Sequence, residues 1–191
     1  MSINLNELNL SPLVDDIKYF VSGSDLEIYF PNCKIVKFSN LDEYESIYDL
    51  LPGKIDFCFI LVETTGVNVG HWQLLYRDKD TFNFFDSYGD KPTSILNFIP
   101  KSLNKYLGND YREDMGHILK SIKKPDKLVV NSFPFQSNID GVNTCGRWVL
   151  ARLAFFLRGG MENRDFIKYI KEATKTSRLR RDEVVVRLIS V

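Results

Sequence analysis

The run Ile55–Val62 (IDFCFILV) constrains this chain more than any other stretch. It is apolar except for Asp56, rich in branched and aromatic side chains, and bounded by Pro52-Gly53 before it and a loop with two glycines after it, Glu63 to Gly70. A short run with no polar face reads as a strand buried on both sides. A chain that holds such a strand has to cover each face of its sheet with another layer.

The neighbouring segments supply that sheet and those layers. His71–Arg77 and Phe82–Asp86 flank the polar turn Asp78–Thr81 and predict a hairpin. Lys127–Asn131 predicts a further strand. Leu26–Phe30 and Lys34–Phe38 alternate around Pro31-Asn32 and predict two short ones. Helical spacing appears after Ser11-Pro12 (Leu13, Val14, Ile17, Phe20) and over Leu41–Leu51, where apolar or aromatic residues stand at 41, 44, 47, 48 and 51. Thr93–Leu107 reads as a helix interrupted near Pro100. Cys145–Leu157 is a strongly apolar helix stopped by Gly159-Gly160, and Glu162–Lys175 is a second. Ser132–Thr144 is a long loop. Asn109–Pro125 stays unassigned, and Asp182–Val191 fits a strand or a short helix equally well. The sum is an α+β fold with a central, mostly antiparallel sheet flanked by helices. With no repeat or linker in 191 residues, it predicts a single domain over residues 1–191.

Composition excludes several classes. Lys and Arg number 25 and Asp and Glu number 25, which rules out a bulk polycation for nucleic acid. No apolar run approaches the roughly 20 residues of a membrane helix. Met1–Leu10 lacks the basic start and apolar stretch of a signal peptide. Cys33, Cys58 and Cys145 are too few for a disulfide framework and predict free thiols in a reducing compartment. With no CxxC or HxxxH spacing, no metal or other cofactor is expected.

Cys145 stands out by position. A polar loop runs into it and an apolar helix begins at it, where the positive end of the helix dipole favours thiolate. Gly146 follows, a small residue that lets a substrate backbone approach the sulfur. The plain alternative is a buried core cysteine. His71 begins a strand after Gly70, a rigid yet reachable place for a base, or for a structural histidine. His117 sits in a polar stretch and reads as surface. Asp86 ends the next strand, so a hairpin brings it beside His71, where a carboxylate fixes the imidazole tautomer. The alternative is that Asp86 opens an Asx turn with Ser87 and Gly89. Gln136, nine residues before Cys145, offers an amide donor that, with the Cys145 N–H, makes an oxyanion hole. By itself it is an ordinary exposed glutamine.

Taken together, GHW at 70–72, DSYG at 86–89, Gln136 and TCGRW at 144–148 resemble the adenovirus-protease and SUMO-protease clan of cysteine proteases, in its His, Asp/Glu, Gln, Cys order. The likeness is strongest over 55–89 and 127–157, over a third of the chain, and looks closest to maturation proteases of virophages and polinton-type elements. It implies His71 as base, Asp86 as its orienter, Cys145 as nucleophile, Gln136 as oxyanion donor and Trp72 as a wall of the cleft. The interval from Gln136 to Cys145 is longer than the family's and also offers Asn138 and Asn143 as donors. The resemblance further implies cleavage beside Gly or Ala, with a capsid precursor as protein substrate, in the virion or the viral factory of the host cytoplasm. The alternative it leaves open is a deubiquitinase- or deSUMOylase-like isopeptidase acting on a ubiquitin-like modifier. Acyl transfer, also known in the clan, would need a phosphate-binding loop that the sequence lacks. Eight Lys and Arg residues between 164 and 187, against Asp165, Glu172, Asp182 and Glu183, read as a solvated helix face. By resemblance, the same stripe would track DNA weakly. No membrane partner is implied.

Overall fold

The apolar run lies at the heart of a five-stranded sheet. The computed structural model describes residues 14–92, 94–106 and 112–191. Its strands β1 (Lys34–Lys37), β2 (Ile55–Gly66), β3 (Val69–Asp78), β4 (Thr81–Asp86) and β5 (Lys127–Val130) lie side by side in chain order. The long central strands pair antiparallel, β2 with β3 and β3 with β4, while the short edge strands β1 and β5 run parallel to their neighbours. The architecture is therefore the expected α+β sheet flanked by helices, antiparallel at its centre. The stretch Glu63–Gly70, expected as a loop, is mostly ladder: β2 runs on to Gly66 through a bulge, and β3 starts at Val69. The tight turn between them is possible because Asn68 takes a left-handed conformation, φ 60°.

Each face of the sheet has its own core. Phe59, Leu61, Trp72, Leu74, Tyr76 and Phe85 pack on one side against α6 (Cys145–Gly159), α7 (Asn163–Ser177) and α8 (Arg181–Leu188). Cys58, Ile60, Val62, Leu75, Phe82 and Phe84 point to the other side. They meet α3 (Ile47–Leu50), the 3-10 turn Phe38–Glu43 and Met115 and Ile118 of a further helix, Arg112–Lys120. Trp148 of α6 is fully buried, so truncating it to Ala would cost about 3–5 kcal/mol.

Two further expectations change. Leu26–Phe30 is not a strand: it falls in α2 (Gly23–Tyr29), which Ser22 nucleates. The Ser22 side chain accepts from the Asp25 N–H while the Asp25 carboxylate accepts from the Ser22 N–H, a reciprocal cap that outweighs the short alternation. Leu41–Leu51 is not one helix, because Ser46 caps a new short one, α3, after the 3-10 turn. The chain before Val14 lies outside the described residues, and so does the predicted start at Ser11-Pro12; α1 is described over Val14–Lys18. The segment near Pro100 does break, into a 3-10 turn Ser94–Phe98 and α4 (Lys101–Tyr106). The unassigned stretch 109–125 contains α5 (Arg112–Lys120), and the C-terminal stretch is helical as α8. No helix among the described residues is long and apolar enough to cross a membrane.

Candidate active site

The β3–β4 ladder sets the first pair. Gln73 is the cross-strand partner of Asp86, and His71 lies two residues along β3 on the same side of the sheet. His71 Nε2 and Asp86 Oδ2 are 2.9 Å apart, and both residues are buried. Asp86 Oδ2 also accepts from Gln73 Nε2 at 2.9 Å, while Oδ1 accepts from the Tyr88 N–H at 2.8 Å. The two readings of Asp86 are thus both true: one oxygen closes an Asx turn and the other holds the imidazole. The turn also needs Gly89, which has φ 74°, and a Cβ there would come within 2.8 Å of the Phe133 backbone. Asn131, just past β5, prolongs the sheet with its side chain, accepting from Asp86 N–H (2.7 Å) and donating to Asp86 C=O (2.8 Å).

Burial alone would lower the His71 pKa. The Asp86 charge and hydrogen bond, with a hydrogen bond to the Cys145 thiol, reverse this and raise it from 6.5 to about 10. Burial pushes Asp86 up, but His71, Gln73 and the Tyr88 N–H outweigh it and hold the carboxyl below its ordinary value. With Nε2 held by the carboxylate, Nδ1 is the imidazole nitrogen left to face the thiol.

Cys145 arrives from the opposite layer. It is the first residue of α6, which packs against β3, and this brings its sulfur beside the His71 imidazole at the start of β3. The preceding Thr144 does not cap α6. Its hydroxyl donates instead to Asp182 Oδ1 at 2.6 Å, so among the described residues no side chain caps the N–H groups of the first turn. Asp182, the buried second residue of α8, also accepts from the Ser137 N–H (3.1 Å) and Trp148 Nε1 (3.4 Å). One carboxylate thereby ties both ends of the 137–144 segment. The other thiols differ: burial pushes Cys58 up to about 12, and burial together with Glu27 raises Cys33.

Gln136 is buried beside the site rather than exposed. Its Oε1 accepts from Ser87 Oγ (2.8 Å), and its Nε2 donates to the Val142 C=O (2.9 Å) and the Tyr88 hydroxyl (3.1 Å). Tyr88 lies flat against His71, with ring centroids 5.0 Å apart and planes 17° from parallel. Of the two alternative amides, Asn143 donates through Nδ2 to the Lys18 C=O at 2.7 Å.

The two residues expected to shape the cleft do something else. Trp72 is 5% exposed and packs in the core; its Nε1 donates to the Val21 C=O at 2.7 Å. The space left by Gly146 is taken by Val21, whose side chain a Cβ at 146 would overlap. Both hold a strap, residues 16–21, across the start of α6. The same strap gives the Asp16 and Tyr19 carbonyls to Arg147 Nη1 and the Ile17 carbonyl to the Asn143 N–H.

Sequence reading names His71, Asp86, Gln136 and Cys145, which meet here, and misses Gln73, Tyr88, Asn131 and Asp182. Gln73 carried a signal, a polar residue on the same side of a strand as His71 in an otherwise apolar run. Tyr88 lay inside the DSYG motif itself.

Against this geometry stand the relatives. The uncharacterized protein V9 of Sputnik virophage is 34% identical over 176 residues, covering 89% of this chain and 96% of its own length. The chain belongs to this V9 family of virophage proteins. No protein-family model matches it. Among solved structures, the V9-family chain resembles the ASFV pS273R protease, with a TM-score of 0.43 and 13% identity over 82% of this chain. It spans 57% of the length of that protease.

Proposed function

We propose that this V9-family protein is a cysteine endopeptidase. The observation that carries the reading is a buried His71–Asp86 pair at 2.9 Å whose imidazole is coupled to the Cys145 thiol at the N-terminus of α6. In this reading the Cys145 proton passes to His71 Nδ1, and the sulfur attacks the carbonyl carbon of the scissile bond. The tetrahedral oxyanion receives the Cys145 N–H, which α6 leaves without a side-chain cap. As the intermediate collapses, the C–N bond breaks and the amine leaves with the proton from His71. Water then attacks the thioester with His71 again as base, releasing the acid and restoring the thiol. Asp86 holds the ring and stabilises its charge throughout.

The substrate we assign is a protein cut beside glycine or alanine, with a virophage capsid precursor as the natural one. Membership of a virophage family supports the source. The likeness of GHW, DSYG, Gln136 and TCGRW to the adenovirus-protease and SUMO-protease clan supports cutting beside small residues.

The test is mass-spectrometric profiling of new N-termini, comparing the wild type with Cys145→Ala on capsid precursors and on denatured proteins, with and without added DNA. Cuts within chains that depend on Cys145 and cluster beside Gly or Ala are expected. Cleavage confined to conjugates of ubiquitin-like modifiers would replace the endopeptidase with an isopeptidase. Cleavage that survives Cys145→Ala would end the reading altogether.

A further inference from the structure

The residue that sequence motifs assign to the oxyanion is already spent. Gln136 is 3% exposed, and every polar atom of its amide has a partner: Ser87 Oγ on Oε1, the Val142 carbonyl and the Tyr88 hydroxyl on Nε2. Its backbone N–H is fixed as well, to the Ser87 carbonyl at 2.9 Å. For Nε2 to donate directly to a substrate oxygen, one of two bonds in a buried setting would have to break. Such a loss costs about 1–3 kcal/mol.

One bond further on lies a hydroxyl with the opposite character. The Tyr88 oxygen accepts from Gln136 Nε2, and among the described residues nothing accepts the Tyr88 O–H proton. The ring cannot swing away, because it is stacked on His71 at 5.0 Å and its backbone N–H is bound by Asp86 Oδ1. We infer that Tyr88 is a catalytic residue of the proposed protease: its hydroxyl, held by Gln136 and by the His71 stack, donates the second hydrogen bond to the oxyanion formed on Cys145. Gln136 then acts through Tyr88, as a positioning residue that polarises the donor. No proton changes owner in this step; the phenol donates a hydrogen bond as the carbonyl oxygen becomes negative and remains a phenol when it collapses. One further fact agrees. The Tyr88 phenol is pushed up to about 12, by burial first and by the Cys145 sulfur next, so it stays a donor at every working pH. The inference rests on the protease reading above.

The experiment uses a peptide ending in glycinal, an aldehyde whose adduct with a thiol carries an oxyanion-like oxygen, and iodoacetamide, which alkylates a thiol without forming one. Tyr88→Phe removes the hydroxyl and keeps the ring. It is expected to lower kcat by about 100-fold, as loss of an oxyanion donor does, with KM near the wild-type value. Affinity for the aldehyde should fall with kcat, while iodoacetamide labels Cys145 at an unchanged rate. Full kcat in Tyr88→Phe, or equal losses in turnover and alkylation, would overturn the inference; the second result would mean that Tyr88 only supports His71. A structure of the wild-type aldehyde adduct tests the same point with no variant to fold. Tyr88 Oη should lie within about 3 Å of the adduct oxygen, and a gap with no hydrogen bond would refute it. A wild-type chain that neither cleaves protein nor binds the aldehyde would instead remove the protease reading itself.

Discussion

His71 and Asp86 are held by a ladder, Cys145 and Gln136 by side chains reaching in from elsewhere. On the hairpin side, a continuous register from Gln73↔Asp86 to Asp78↔Thr81 fixes the strands, and the functional side chains follow from the pleat. On the loop side, the irregular segment 131–144 owes its path to single buried polar groups: Asn131 against Asp86, Ser87 against Gln136, Asp182 against Ser137 and Thr144. A ladder spreads the work over many backbone bonds. A stapled loop concentrates it, so single substitutions far from the sulfur should be felt there.

The strongest test of that contrast removes the reactive atom from each core. Cys145→Ala should abolish turnover, by several orders of magnitude in kcat/KM. Cys58→Ala, inside the opposite core of the same sheet, should leave kcat/KM within a few-fold. Next comes the ladder side: Asp86→Asn should lower kcat by about 10⁴-fold through the wrong imidazole tautomer, as in the serine-protease precedent, while the hairpin stays folded by circular dichroism. On the loop side, Asp182→Ala should cost about 1–3 kcal/mol for each buried donor it strands, read by chemical denaturation, with kcat lowered roughly ten-fold and KM little moved. Asp182→Asn keeps an acceptor and should recover part of both. If Asp182→Ala left activity and stability intact, the distinction between the two halves would collapse.

The last test is in pH. The folded chain holds the His71 proton more tightly than the unfolded chain does, from 6.5 up to about 10. The stabilisation is therefore complete below 6.5 and fades as pH rises through about 10. Asp86 has the opposite sign: its carboxyl is held below its ordinary 3.8, so its contribution is present above that value and fades as pH falls further. Urea unfolding between pH 5 and 10 should show an alkaline decline in the wild type that is shallower in Asp86→Asn. Equal slopes would mean that the pair is not coupled to folding.

The same contrast explains what sequence can show. Ile55–Val62, the hairpin and the helix from Cys145 are legible because a repeated pattern writes them, and His71, Asp86 and Cys145 sit at the ends of those elements. Leu26–Phe30 is misread because five residues fit two periods; the deciding information is the Ser22–Asp25 cap upstream. Trp72 and Gly146 are recognisable as special, but their reason is the partner they share, Val21, whose arrival only the folded chain reveals. Asp182 is hidden for a similar cause: it lies 38 positions from Thr144, and nothing local marks a carboxylate that works at such a distance.

The strap over the start of α6 has one property that bears on its own sequence. The bonds that Trp72, Asn143 and Arg147 make to it end on main-chain oxygens, at Asp16, Ile17, Lys18, Tyr19 and Val21, while the Phe20 side chain stands largely in water. Apart from Val21, which must fit the groove at Gly146, the buried Ile17 and the Tyr19 ring under the Arg147 guanidinium, such a grip reads the course of a peptide and ignores its spelling. Substitutions at Lys18 and Phe20 are therefore expected to leave the clasp in place, since what it grips is the course of the main chain.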